Sequence, residues 1–273
     1  MKPDPAKLCV HTATTKPLPL TEALDAYAAA GIPSLTVWRD TLEGRSLQES
    51  ARLIKSSGLK VASLCRGGFF PALSPNDRRK AIDDNRLAID QAAAIGAPLV
   101  VLVCGAVPGL PLSESRAQIA DGIASCLDHA KAAGITLAIE PLHPMYAGDR
   151  SAINTLAQAI ELCDQLNSPS LGIAADVYHL WWDPRLEADI SAAGLKGYLA
   201  AFHVCDWLNP TTDLLNDRGL MGEGCINIPQ IRSWIEAAGF EGFVEVEIFS
   251  NRWWAHDQHD YLQKIKQAYY DHC

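Results

Sequence analysis

Four isolated polar side chains close apolar runs in the second half of the sequence. Glu140 ends GITLAIE, Asp176 ends LGIAAD, His203 follows YLAAF, and Glu247 sits in GFVEVE. Each has a plain structural reading when taken singly. Glu140 suits a solvated strand end, and Asp176 suits a cap on the turn that follows it. His203, between Phe202 and Val204, suits a satisfied core histidine. Glu247 lies two residues from Glu245, so strand periodicity points both to one side, where either could be a structural carboxylate. Four such residues at the ends of successive runs are harder to explain this way. Buried unpaired carboxylates are costly, and a cation offsets that cost. Two Glu, one Asp and one His converging on one rim suit a single divalent metal, so Glu140, Asp176, His203 and Glu247 are the expected ligands.

The elements that must position them follow one rhythm. Short apolar runs occur at 8–12, 34–38, 59–65 and 98–104, and again near 134–140, 170–176, 198–205 and 242–249. They are short, continuous and rich in Val, Ile and Leu, as buried parallel strands are. Helical patterns separate them, several ending in glycine at Gly31, Gly58, Gly96 and Gly134. Thr21 and Ser46 suit helix N-caps, and Ser113 with Arg116 makes an imperfect capping box. Strand then helix, eight times over, predicts a single (β/α)8 barrel across residues 1–273, with its site at the C-terminal rim of the strands. An open doubly wound sheet is the alternative, but the first strand lacks a G-x-G-x-x-G turn. The connection at 206–228 is long, as functional loops often are.

Composition narrows the class. The chain has 273 residues, 48% of them hydrophobic and 20% charged, with a net charge of -9. Acidity disfavours a nucleic-acid partner. No apolar run reaches the roughly 18 residues of a membrane span, and the first residues lack the apolar stretch of a secretory signal. Eight scattered cysteines without a C-x-x-C pair fit reduced, buried thiols in a cytoplasmic protein.

The residues then reach a family. The IEP of strand five, D-x-x-H of strand six, FHVCD of strand seven, the run from Arg218 to Asn227 and EVEIFS of strand eight resemble the xylose-isomerase-like TIM-barrel superfamily. The resemblance is to its sugar isomerase and epimerase branch, which includes ketose 3-epimerases and inosose-processing enzymes. It implies that Glu140, Asp176, His203 and Glu247 ligate a metal, usually Mn2+, with Mg2+, Co2+ or Zn2+ also used. It implies that Glu140 and Glu247 also move the proton, and that His179 and Arg218 contact substrate. Trp38 and Arg66, ending strands two and three, and His143, in the loop after strand five, are further candidate substrate contacts. That loop also carries Tyr146, Asp149 and Arg150. Tyr146 stands where ketose 3-epimerases carry a second Glu, and Asn227 replaces the usual Asp of the glycine motif. Family habit implies a homodimer.

The expected chemistry is metal-assisted proton abstraction next to the carbonyl of a keto sugar or polyol ketone, through an enediolate. Proton return to the same carbon epimerises, return to the neighbouring carbon isomerises, and loss of a β-hydroxyl from an inosose or 3-keto glycoside makes a lyase. Less favoured readings are a DNA-repair-type endonuclease with three zinc ions and a non-catalytic sugar-binding barrel. No Gly-rich phosphate turn is present, which leans towards an unphosphorylated substrate. Five of the seven tryptophans fall on rim loops, Trp181, Trp182, Trp207, Trp253 and Trp254, where they suit either a sugar-facing wall or loop packing.

Overall fold

The computed structural model describes residues 2–273. Eight parallel strands close a barrel in the order β1-β10-β7-β6-β5-β4-β3-β2. Their ranges are β1 Leu8–His11, β2 Ser34–Trp38, β3 Lys60–Gly68, β4 Leu99–Val103, β5 Thr136–Glu140, β6 Leu171–Asp176, β7 Leu199–Val204 and β10 Val244–Val246. Between β7 and β10 the long connection forms a small antiparallel hairpin, β8 Asp206–Trp207 with β9 Arg218–Gly219. The predicted (β/α)8 architecture is thus the observed one.

Helices pack outside the strands: α1 Leu20–Ala30, α2 Leu47–Ser57, α3 Pro75–Ile95, α4 Leu112–Ala133, α5 Leu156–Leu166, the short α6 Val177–Leu180, α7 Leu186–Leu195, α8 Ile228–Ala237, α9 Asn251–Trp254 and α10 Gln258–His272. None is long and apolar enough to cross a membrane. The first four end at Gly31, Gly58, Gly96 and Gly134 in the left-handed conformation, as their sequences require. The start signals were less faithful. Ser46 caps α2 by accepting from the Glu49 amide. Thr21 and Ser113 cap nothing, because α1 starts after Pro19 and α4 after Pro111, placing both residues inside the first turn. Asn227 caps α8, accepting from the Gln230 amide.

The main core lies between the strands and their helices. A smaller one fills the barrel from Cys65, Leu99, Val101, Ala138, Ala174 and Ala201. Strand periodicity explains what stands above it. Two residues beyond Ala138, Ala174 and Ala201 come Glu140, Asp176 and His203. The C-terminal end of the barrel, where this fold builds its sites, therefore changes from methyl groups to charges within one layer. Seven of the eight cysteines are buried and all eight are free. Only Cys225 is exposed.

Candidate metal centre

Glu247, His203, Asp176 and Glu140 come from β10, β7, β6 and β5, four consecutive staves of the barrel. Glu247 follows β10 directly, continuing its register. All four are buried, and each offers one ligand atom within 4.8 Å of the others. Ligands at about 2.1–2.4 Å from one ion are at most about 4.8 Å apart. The donor set therefore fits one cation in space and in chemistry, as three carboxylates and one imidazole.

The local roles of these residues agree with that fit. Asp176 Oδ1 accepts from the Tyr178 amide at 2.8 Å and so caps α6. Its Oδ2 turns inwards, 3.4 Å from Arg218 Nη1 and 3.6 Å from His179 Nε2. The cap reading of this Asp holds through Oδ1, and Oδ2 is left pointing at the cluster. His203 sets Nδ1 3.0 Å from Glu140 Oε1, and its Nε2 lies 3.9 Å from Glu245 Oε2 without a hydrogen bond. Glu247 is braced on both oxygens, by His11 Nδ1 at 3.1 Å and by Arg218 Nη1 at 2.8 Å.

Electrostatics draw positive charge into this cluster. Burial, opposed by Arg218 and reinforced by Glu247 and Glu140, pushes Asp176 up to about 7. Burial works against charge on His203, yet Glu140 and Glu245 raise it to about 9. Burial likewise opposes charge on His11, and Glu245 and Glu247 still lift it to about 9. Trp38 Nε1 also reaches His11 Nδ1, at 3.2 Å, a bond available only when that nitrogen carries no proton. Burial raises Glu247, but His11 and Arg218 overcome it and hold that carboxyl well below its usual range. His179 is kept neutral, by burial first and by Arg218 second.

A cavity of about 200 Å³ opens onto two of these candidate ligands, Glu140 and Glu247. Glu140, Glu247, His179, Arg218, Trp38 and Arg66 all line it, so the expected substrate contacts on strands two, three and six and on the long loop do share one space. His143 does not line it. It accepts from the Met145 amide and lies against Trp207 and Trp182. Nor do the five rim tryptophans line it. Trp181 and Trp207 pack on one another, and Trp207 stacks on Tyr178 with centroids 4.8 Å apart. Trp253 stacks on Tyr261, and Trp254 packs on Phe249. The aromatic faces offered to the cavity are those of Trp38, Phe69, Tyr146 and Phe249.

The hairpin loop adds Leu215 to the lining of the cavity. Two tyrosine hydroxyls, of Tyr146 at 2.7 Å and Tyr178 at 2.9 Å, donate to the Leu214 carbonyl and pin the loop down. Asp206, fully buried, holds its base by accepting from the Trp207, Gly222 and Ile226 amides. Tyr146, in the loop after β5, thus fastens the hairpin loop. Sequence reasoning did not foresee the loop pins, Asp206 or the bracing by His11. The one hint was the length of the connection.

A closed barrel of eight parallel strands with a carboxylate and imidazole cluster at its C-terminal rim defines a TIM-barrel protein with a candidate site where this fold builds them. The comparisons agree: residues 24–268 match the model of the xylose isomerase-like TIM barrel family, and the chain belongs to that family. It is 24% identical over 254 residues to an inosose isomerase of Halalkalibacterium halodurans, covering 89% of this chain and 88% of that one. Protein SMc04130 of Sinorhizobium meliloti has the same fold with a TM-score of 0.95, 47% identity and 98% coverage of both chains. The IOLI protein, solved with a bound zinc atom, shares the fold at a TM-score of 0.83 and 21% identity, over 96% of each chain.

Proposed function

We propose that this protein is a metal-dependent sugar isomerase or epimerase acting next to the carbonyl of a keto sugar or polyol ketone. The observation that carries this reading is the gathering of Glu140, Asp176, His203 and Glu247 within 4.8 Å, two of which, Glu140 and Glu247, line a cavity. Family membership and the similarity to an inosose isomerase support it. The same four residues would hold a divalent ion, with Mn2+ the first choice for an oxygen-rich set and Mg2+, Co2+ or Zn2+ as alternatives. Such an ion supplies Lewis acidity, polarising a carbonyl and stabilising charge on its oxygen.

The chain's own residues do the rest. Glu140 and Glu247 stand on staves separated by two others, so they approach a bound substrate from different sides. One carboxylate takes the carbon-bound proton and the other returns one, which inverts the centre. His179, neutral and facing the cavity, orients a substrate hydroxyl. Arg218 holds the plane of Glu247 and stays fixed between the rings of Tyr178 and Phe249. Leu215 and its pinned loop exclude water. The seven buried free thiols suit work in a reducing compartment, the cytoplasm.

The test is solvent exchange. With Mn2+ and deuterated buffer, a panel of ketoses, inososes and 3-keto glycosides should show label entering the carbon beside the carbonyl of at least one member. Chelator dialysis should stop this, and added Mn2+ should restore it. Absence of exchange across the panel removes the enolising reading and leaves a binding barrel.

A further inference from the structure

Three arginines line the cavity, and their surroundings differ. Arg218 is paired with Glu247 and Asp176. Arg66 and Arg150, both half-buried, make no ion pair among the described residues. Each lies instead over an aromatic ring: Arg66 over Phe69 at 4.3 Å, and Arg150 over Tyr146 at 5.3 Å. In a chain of net charge -9, two free guanidinium groups in one small cavity need a purpose. Arginine is the side chain best suited to planar, two-point recognition of phosphate or carboxylate.

Their placement is built into the frame. Both segments are anchored to the end of β4. The Phe69 amide donates to the Val103 carbonyl at 2.8 Å, the Phe70 amide to Cys104 at 3.1 Å, and the Ala152 amide to Gly105 at 3.0 Å. Buried Asn85 clamps the turn after Arg66, accepting from the Gly68 amide at 2.6 Å and donating to its carbonyl at 2.8 Å. Gly68 and Gly105 admit this approach, because a Cβ at Gly68 would strike the Val103 carbonyl and one at Gly105 would strike Phe69. On the other side, Asn154 ties the Ser151 and Leu142 carbonyls together. Arg66 also stands at a junction. Trp38, Arg66 and Phe69 line both the 200 Å³ cavity and a larger outer groove of about 590 Å³. The remaining cation of that groove, Arg39, is neutralised by Asp84. The groove also carries Asp40 and Glu43, so the two unpaired arginines share only the inner cavity, with Arg66 at its junction with the groove. Burial first and the neighbouring charge of Arg150 second weaken proton binding at Arg66, against a smaller opposing pull from Cys65 and Glu140.

We propose that Arg66 and Arg150 form an anion subsite at the outer part of the cavity, and that the substrate is a polyol ketone carrying a phosphate or carboxylate. This rests on reading the cavity as the substrate site. Its phosphate form revises the expectation of an unphosphorylated substrate, which was drawn from the missing glycine-rich turn. Such a turn binds phosphate through backbone amides, whereas two side chains from β3 and the loop after β5 leave no motif.

The test is direct binding. Inorganic phosphate and glycolate are titrated calorimetrically into the protein as purified, at constant ionic strength, with wild type, Arg66→Gln, Arg150→Gln and the double variant at matched metal content. Any metal-borne binding is then common to all four. Saturable binding to wild type, weakened at least tenfold in the double variant with unchanged circular dichroism, supports the subsite. Arg150→Lys should keep part of the affinity. Preference for phosphate or for glycolate identifies which anion the substrate carries. No saturable binding of either, or equal affinity in the double variant, overturns the proposal. Isotope exchange without anion binding sinks this subsite alone, and anion binding without isotope exchange sinks the reaction alone.

Discussion

Glu245 and Glu247 lie two residues apart at the end of one strand, point to the same side and are both buried, yet their surroundings are opposite. Glu245 has one oxygen met by Thr36 and, at 3.0 Å, by Ser63, with His11 Nε2 3.3 Å away. Burial raises its pKa, but His11 above all, with His203 and Thr36, outweighs it and holds the carboxyl below its ordinary value. Glu247 faces the layer above, where Asp176, Glu140 and His203 crowd the same space. Hydroxyl groups from β2 and β3 satisfy the lower carboxylate. On β5, β6 and β7 the corresponding floor is Ala138, Ala174 and Ala201, which offers no donor. The difference teaches that burial alone does not mark a metal ligand. What sets the candidate ligands Glu140, Asp176 and Glu247 apart from Glu245 is that no serine or threonine hydroxyl among the described residues meets their carboxylates.

This contrast can be broken by substitution. The largest effect is expected from Glu247→Gln, which should lower isotope exchange by about 10³-fold, the scale of a lost proton-transfer group. Its urea unfolding curve should remain cooperative. Activity within tenfold of wild type would put Glu247 in the same structural class as Glu245. Asp176→Ala comes next. Residues that merely orient ligands are worth about 10–100-fold in metal affinity, so loss of a ligand should cost roughly 100-fold or more, read by elemental analysis after dialysis. Full metal occupancy would remove Asp176 from the set.

The lower layer should respond in the other currency. Glu245→Gln should destabilise the fold by roughly 1–3 kcal/mol, the cost of mismatched buried hydrogen bonds, while exchange activity falls less than that of Glu247→Gln. A catalytic loss as large as that of Glu247→Gln, with no loss in stability, would erase the division into two layers. The smallest effect belongs to Tyr146→Phe. It removes one of two hydroxyls from the Leu214 carbonyl, a change of about 1 kcal/mol. A modest rise in KM at constant kcat is expected, because Tyr178 still pins the loop. A collapse of kcat would show that the Tyr146 hydroxyl takes part in the chemistry.

Much of this was legible in one dimension. The alternation of buried runs with glycine-ended helical patterns specifies strands and helices locally, and eight repeats leave few ways to close a sheet. The candidate ligands were visible because a single charge after an apolar run breaks a local pattern, as at Asp176 after LGIAA. His143 shows where local reasoning stops. Its loop was identified, but the direction of its ring was set by Trp182 and Trp207, from two other loops. Arg150 was equally visible in that loop, but its lack of a counter-ion was not.

By itself, then, the sequence determined the order of elements, their ends, and which polar residues the strands carry to the rim. Period-two and helical patterns arise from backbone geometry and need only near neighbours. Tertiary structure alone decided which of those charges are satisfied. In a closed barrel the lateral partners of a side chain come from other strands, and Thr36 reaches Glu245 across 209 residues of chain. No local rule encodes that meeting, and it is what distinguishes the quiet carboxylate from the four ligand candidates above it.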